Sequence, residues 1–166
     1  MRLSVIALAS CLLLPFGSFA QEKPDFSGYY ELAWPKPELR HGKRPLPSQL
    51  KVVQHGRVLK ATFTERGKTR TSTYYLDGAE SKNVAAGGAP STDKAKIKYK
   101  TLLIESIIQV RKNTLEIEQK WQLSVDSQHL IIQITAIVSS AGFPLGSWEH
   151  VYTRQLQRRG KIGAHR

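Results

Sequence analysis

Histidine is the residue of this sequence best suited to hold a metal ion, and five are present, at positions 41, 55, 129, 150 and 165. They lie in separate segments, and no two of them are two or four residues apart. That spacing is what brings two imidazoles to one ion on a strand or a helix. The sequence therefore predicts no metal site, and no pattern in it indicates any other cofactor.

Covalent or acid–base catalysis finds equally little support. No Gly-x-Ser-x-Gly turn is present to expose a serine nucleophile, and the only cysteine, Cys11, lies near the amino terminus. Glu116 and Glu118 share a strand face like a catalytic carboxylate pair, but Lys120 continues the row, which is typical of an exposed charged face. We predict no catalytic residue and lean against an enzyme, although a barrel interior can hold catalytic groups that are distant in sequence.

The elements that would position any functional side chain are strands. In TLEIEQKWQLS, residues 114–124, apolar and polar residues alternate, so one face is buried and the other is wet. Turn residues such as those at 55–56 and 66–67 separate further segments of this kind. The predicted strands cover 27–34, 48–54, 57–65, 68–76, 94–100, 101–111, 114–124, 129–139 and 147–156.

We predict an all-β fold, a single antiparallel up-and-down barrel of eight or nine strands, because the hairpins are short and closure removes exposed edges. A two-sheet sandwich is the alternative, but it usually needs longer crossing connections. Small residues over 83–93 predict a mobile loop at the barrel mouth, and threonines in the first half indicate a broad outer face or a partly polar interior. The predicted core contains Leu115, Ile117, Trp121, Leu123, Ile132 and Ile134.

The first twenty residues, MRLSVIALASCLLLPFGSFA, have an early positive charge, an apolar run and small residues at Ser18 and Ala20. This pattern is typical of a cleavable export signal, and the run is shorter than the roughly 20 apolar residues that a spanning helix needs. We expect cleavage after Ala20, a barrel domain over 21–156 and a basic disordered tail over 157–166, in the periplasm or outside the cell. Lipid attachment at Cys11 is a weaker alternative, because that residue lies inside the apolar run rather than after it.

The chain is strongly basic, with 25 Lys and Arg against 13 Asp and Glu and a formal net charge of +12. Such a balance favours attraction to polyanions or to an anionic envelope surface, and it is also compatible with an ordinary solvated surface. We expect a monomer and no specific nucleic acid partner. The candidate polyanion contacts are Arg40, Lys43, Arg44, Arg158 and Arg159.

Three motifs, DFSGYYEL, KWQLSVDSQHL and HVYTRQL, resemble a largely uncharacterised family of small exported bacterial proteins with a lipocalin-like barrel. The resemblance covers Asp25 to Leu156, and the family pattern has tryptophan where this chain has Tyr30. It implies that the ring of this residue closes one end of the barrel beside Gly28, with Arg154 of the last strand stacked on it.

The fold then favours the binding of a small apolar or amphipathic ligand in the barrel interior. Phe63, Tyr74 and Tyr99 are the candidate lining residues, since aromatic side chains in the polar half combine an apolar body with a hydrogen-bonding edge. A basic surface module with a closed barrel is the first alternative, and an enzyme that uses the same interior is the second. An interior filled by side chains such as Trp121 and Ile132 would exclude the ligand.

Overall fold

The structure of the chain is a computed structural model that describes residues 23–35, 47–139 and 142–155. The expected export signal, the expected tail and the candidate contacts Arg40, Lys43, Arg44, Arg158 and Arg159 lie outside the described residues and stay predictions. The described part contains no helix long and apolar enough to cross a membrane. Its strands are β1 Gly28–Pro35, β2 Gln49–His55, β3 Val58–Glu65, β4 Lys68–Tyr75, β5 Asp77–Val84, β6 Pro90–Lys98, β7 Thr101–Val110, β8 Asn113–Leu123, β9 His129–Val138 and β10 Phe143–Gln155.

These strands form one antiparallel sheet that curls into a nearly closed barrel. The order is β4, β3, β2, β1, β10, β9, β8, β7, β6 and β5, so sequential hairpins are joined by the pairing of β1 with β10. The two edge strands, β4 and β5, come together without a hydrogen-bonded ladder, and we call this line the seam. The all-β antiparallel barrel is confirmed and the sandwich is excluded, but the expected count of eight or nine strands is wrong.

The strand that sequence reasoning missed is β5. Its sequence, DGAESKNV, contains only Ala79 and Val84 as apolar residues, so no hydrophobic alternation marks it. Its buried position is taken by Ser81, which is 4% exposed. The expected mobile loop over 83–93 is therefore largely strand, and only residues 85–89 connect β5 to β6. In the same way β10 begins at Phe143 rather than at the expected residue 147, because a bulge after Pro144 lets the pairing continue.

The alternation in the second half sets the register as expected. Trp121 and Ile132 are buried, while Glu116 and Glu118 on the opposite parity are exposed. The other four expected core residues, Leu115, Ile117, Leu123 and Ile134, are half-buried. Ile117 and Ile134 are partly exposed because they line an internal cavity.

The two ends of the barrel differ in packing. The end with the β2–β3 and β8–β9 turns, here called the closed end, is filled by fully buried side chains. These are Phe26, Tyr30, Leu50, Leu59, Leu102, Ile104 and Leu130. At the opposite end, here called the mouth, lie the β3–β4 turn and the 85–89 connection, and the interior beneath them is open.

Candidate ligand-binding site

The closed end is sealed by one aromatic ring and one guanidinium. Tyr30 is 1% exposed, and the Arg154 guanidinium carbon lies 5.4 Å from the centroid of its ring. Arg154 donates hydrogen bonds to the Tyr30 hydroxyl at 2.8 Å and to the Ser27 carbonyl at 3.1 Å. The Tyr30 hydroxyl in turn donates to the Phe26 carbonyl at 2.8 Å, so the polar atom that tyrosine adds relative to tryptophan is satisfied.

Gly28 is required at this end because there is no room for a side chain, and not because of its backbone conformation. A Cβ atom at this position would lie 3.0 Å from two ring carbons of Tyr30 and 3.1 Å from Nε of Arg154. Burial also raises the pKa of the Tyr30 hydroxyl, so it stays a neutral donor in the physiological range. The three residues therefore act as packing and leave no space for a ligand at this end.

An internal cavity of about 130 Å³ lies between this core and the mouth. Its apolar wall is formed by Phe63, Ile108, Ile117, Ile132, Ile134 and Trp148. Its polar wall is formed by Arg70, Ser72, Tyr74, Ser91, Asp93, Ser106, Gln119, His150 and Tyr152. The interior is therefore open and amphipathic. Of the two alternatives that the threonines of the first half indicated, both are present, because the interior is partly polar and the outer face is rich in threonine.

Trp121 packs against three of the side chains that line the cavity. Its buried indole makes edge-to-face contacts with Phe63, at 6.2 Å between centroids, and with Tyr74, at 6.4 Å. The indole N–H donates to Oε1 of Gln119 at 3.1 Å. Three lining side chains from β3, β4 and β8 are thus held by one residue, which restricts their rotamers.

Arg70 is the cation of the cavity. Its guanidinium carbon lies 4.1 Å from the centroid of the Phe63 ring, and Nη1 donates a 3.3 Å hydrogen bond to the Ser72 hydroxyl. Among the described residues no carboxylate forms an ion pair with it. Burial lowers the pKa of Arg70 and outweighs the electrostatic attraction of nearby Glu65 and Asp93, neither of which forms an ion pair with it.

A carboxylate on the other side of the seam completes the polar wall. Asp93 is 3% exposed, and its Oδ2 accepts hydrogen bonds from Asn83 at 2.7 Å and from Ser91 at 3.1 Å. The amide of Asn83 also bridges the seam, because its oxygen accepts from the Thr73 N–H at 2.8 Å and its nitrogen donates to the Thr73 carbonyl at 2.9 Å. This side chain replaces a missing step of the β-ladder.

The cavity opens toward solvent through a surface depression of about 550 Å³ at the mouth. The depression shares Phe63, Glu65 and Arg70 with the cavity and is bordered by the 85–89 connection. Arg66 of the β3–β4 turn and Lys68 at the start of β4 line only the depression. The opening therefore carries two exposed cations and the carboxylate of Glu65 in front of Arg70.

Burial shifts the acid–base behaviour of the remaining polar wall. It raises the pKa of Tyr74 to about 12 and raises that of Tyr152 further, so both hydroxyls stay protonated at neutral pH. The Tyr152 hydroxyl donates to the Pro47 carbonyl at 3.2 Å. Desolvation also lowers the pKa of His150, which favours the neutral imidazole.

Two of the three expected lining residues, Phe63 and Tyr74, lie in the cavity wall. Tyr99 does not, since it is 75% exposed at the β6–β7 turn, with a left-handed backbone (φ 57°). Arg70 and Asp93 were missed, although each is a charged residue on the inward parity of its strand, which is the signal that could have identified them. No group of three or more metal-ligating side chains occurs in the part of the chain that the structure describes.

No protein-family model matches the chain, and no curated protein sequence matches it. Solved structures do. Apo lipid binding protein 8 of Caenorhabditis elegans matches with a TM-score of 0.57 at 10% identity, over 78% of this chain and 95% of that chain. Fatty-acid-binding protein 1 of Echinococcus granulosus matches with a TM-score of 0.53 at 13% identity, over 79% and 98%. The REP1-NXSQ fatty acid transporter matches with a TM-score of 0.55 at 10% identity, over 78% and 96%.

These similarities concern the fold alone. They agree with the antiparallel up-and-down barrel, which in this chain has ten strands. Membership of the small exported bacterial family stays a prediction.

Proposed function

We propose that this protein binds a small amphipathic ligand in the barrel cavity, with an anionic group of the ligand held by Arg70. The observation that carries the proposal is the state of this guanidinium, which is half-buried, stacked on Phe63 and attracted by Glu65 and Asp93 without an ion pair to any carboxylate among the described residues. A buried charge is costly unless it is paired. A ligand carboxylate at this position would supply the missing partner through two parallel N–H···O bonds.

The surroundings of Arg70 support the same orientation. It lies where the internal cavity meets the surface depression, so a ligand whose charged end contacts it would place its apolar part against Ile117, Ile132 and Ile134. The barrels of similar fold are described as lipid-binding and fatty-acid-binding proteins, which agrees with an apolar ligand.

The size of the cavity limits the ligand. Typical small-molecule pockets are roughly 300–1,000 Å³, whereas a cavity of about 150 Å³ holds a single benzene ring. With about 130 Å³ the interior therefore suits an apolar part of roughly six carbon atoms. Longer chains would have to extend through the mouth or widen the seam.

Titration calorimetry with straight-chain carboxylic acids of four to ten carbons tests the proposal. Affinity should rise with chain length until the cavity is full, and Arg70→Gln should weaken binding about 10- to 100-fold, the usual range for a lost charged hydrogen bond. Arg66→Gln is the matched control, because Arg66 lines the depression but not the cavity. The proposal is wrong if no acid binds, or if Arg70→Gln and Arg66→Gln bind alike.

A further inference from the structure

Asp93 gives the cavity a second charged group, of opposite sign to Arg70. We propose that the preferred ligand is a small zwitterion, whose carboxylate binds Arg70 and whose ammonium binds Asp93. This inference rests on the proposed function and names the ligand class more closely.

Asp93 has one carboxylate oxygen that accepts no hydrogen bond from the described residues. The side chain is 3% exposed and lines the cavity, and both of its accepted hydrogen bonds, from Asn83 and Ser91, go to Oδ2. Among the described residues nothing donates to Oδ1, and no cation pairs with the carboxylate. A carboxylate oxygen that lines a cavity and accepts no hydrogen bond from the described residues is the expected position for a donor from a ligand.

Serine hydroxyl groups lie beside Asp93 in the polar wall. Ser106 pairs directly with Asp93 across β6 and β7, is 6% exposed and makes no side-chain hydrogen bond with the described residues. Ser72 and Ser91 line the same polar wall. An ammonium group has three donors, and one carboxylate oxygen with neighbouring hydroxyl oxygens can satisfy all three.

Arg70 and Asp93 carry opposite charges that a bound ligand has to compensate. A plain carboxylate would pair with Arg70, but it would bring a second negative charge close to Asp93, whose compensation within the protein is the electrostatic attraction of Arg70 without an ion pair. A ligand with one group of each sign compensates both residues, and each charge of the ligand is paired with an opposite charge of the protein when it is removed from water. Arg70 on β4 and Asp93 on β6 lie on opposite sides of the seam, so such a ligand would span it.

The experiment compares ω-amino acids of four to eight carbons with the unsubstituted acids of the same lengths, by calorimetry on the full chain. At one length or more the amino acid should bind at least about tenfold tighter than the plain acid, as expected for an added charged hydrogen bond. Asp93→Asn should remove this preference. Glu80→Gln should keep it, because Glu80 is an exposed carboxylate that pairs with Lys94 on the outer surface.

The outcomes separate this inference from the proposed function. If plain acids bind the wild-type chain as tightly as amino acids at every length, the ligand is not a zwitterion and Asp93 serves only to hold Asn83, while the proposed function stands. If neither series binds, the proposed function fails and this inference fails with it. The wild-type comparison is decisive even if Asp93→Asn does not fold.

Discussion

Removal of the Asn83 side chain should destabilise the barrel at its seam. This amide makes two hydrogen bonds to the backbone of Thr73, at 2.8 and 2.9 Å, and one to the carboxylate of Asp93, at 2.7 Å. A neutral hydrogen bond contributes about 1 kcal/mol net, and one to a charged group about 1.5–3 kcal/mol. Since Asn83 is only half-buried and water can replace part of these contacts, we expect Asn83→Ala to lower the free energy of unfolding by about 3 kcal/mol.

Urea denaturation and a thermal melt measure this change directly. For a chain of this size about 3 kcal/mol corresponds to a fall in Tm of roughly 6–12 °C. Amide exchange gives the local readout, because the Thr73 N–H should lose protection while the amides of β4 that bond to β3 keep theirs. Lys82→Ala is the control, since Lys82 precedes Asn83 on β5 but is exposed, and its loss should change stability by less than about 0.5 kcal/mol.

A small effect would refute this account of the seam. If Asn83→Ala costs less than about 1 kcal/mol and leaves the protection of Thr73 unchanged, the bridge does not hold β4 and β5 together. The contact between the two edge strands would then have to come from side-chain packing alone.

Two further predictions concern the interior. Trp121→Ala should lower the free energy of unfolding by about 3–5 kcal/mol in a denaturant titration, because the indole is fully buried against Phe63. Tyr99→Ala, at an exposed turn, is the control and should change this free energy by less than about 0.5 kcal/mol. Equal effects of the two substitutions would contradict the packing described. Since burial lowers the pKa of His150, the unfolded state takes up a proton first, and stability should fall as pH decreases below about 6.5 toward the folded pKa, by at most about 1.4 kcal/mol per pH unit. His150→Gln should flatten this dependence and the exposed His55→Gln should not, and identical profiles for wild type and His150→Gln would disprove the assignment.

The sequence by itself determined the class of fold and most of its strands. Alternation in segments such as 114–124 depends only on the period-two geometry of a strand, and glycine turns such as Gly67 specify hairpins locally. For the same reason the parity of Trp121 within its strand is enough to assign it to the core. The sequence did not predict β5 as a strand, because Ser81 and Asn83 stand where apolar residues would make the alternation visible.

The tertiary structure alone decided where the barrel closes and which polar residues meet inside it. Pairing of β1 with β10 leaves the seam between β4 and β5, and local sequence carries no signal for which pair of edges remains open. In the sequence, Arg70 and Asp93 are each an isolated charged residue within a strand. Only closure of the barrel brings both side chains to one cavity. Tyr99 shows the converse, because its aromatic character suggested the interior while its place in a turn puts it in solvent. Strand patterning is a property of neighbouring residues, whereas a binding site depends on contacts between residues distant in the chain.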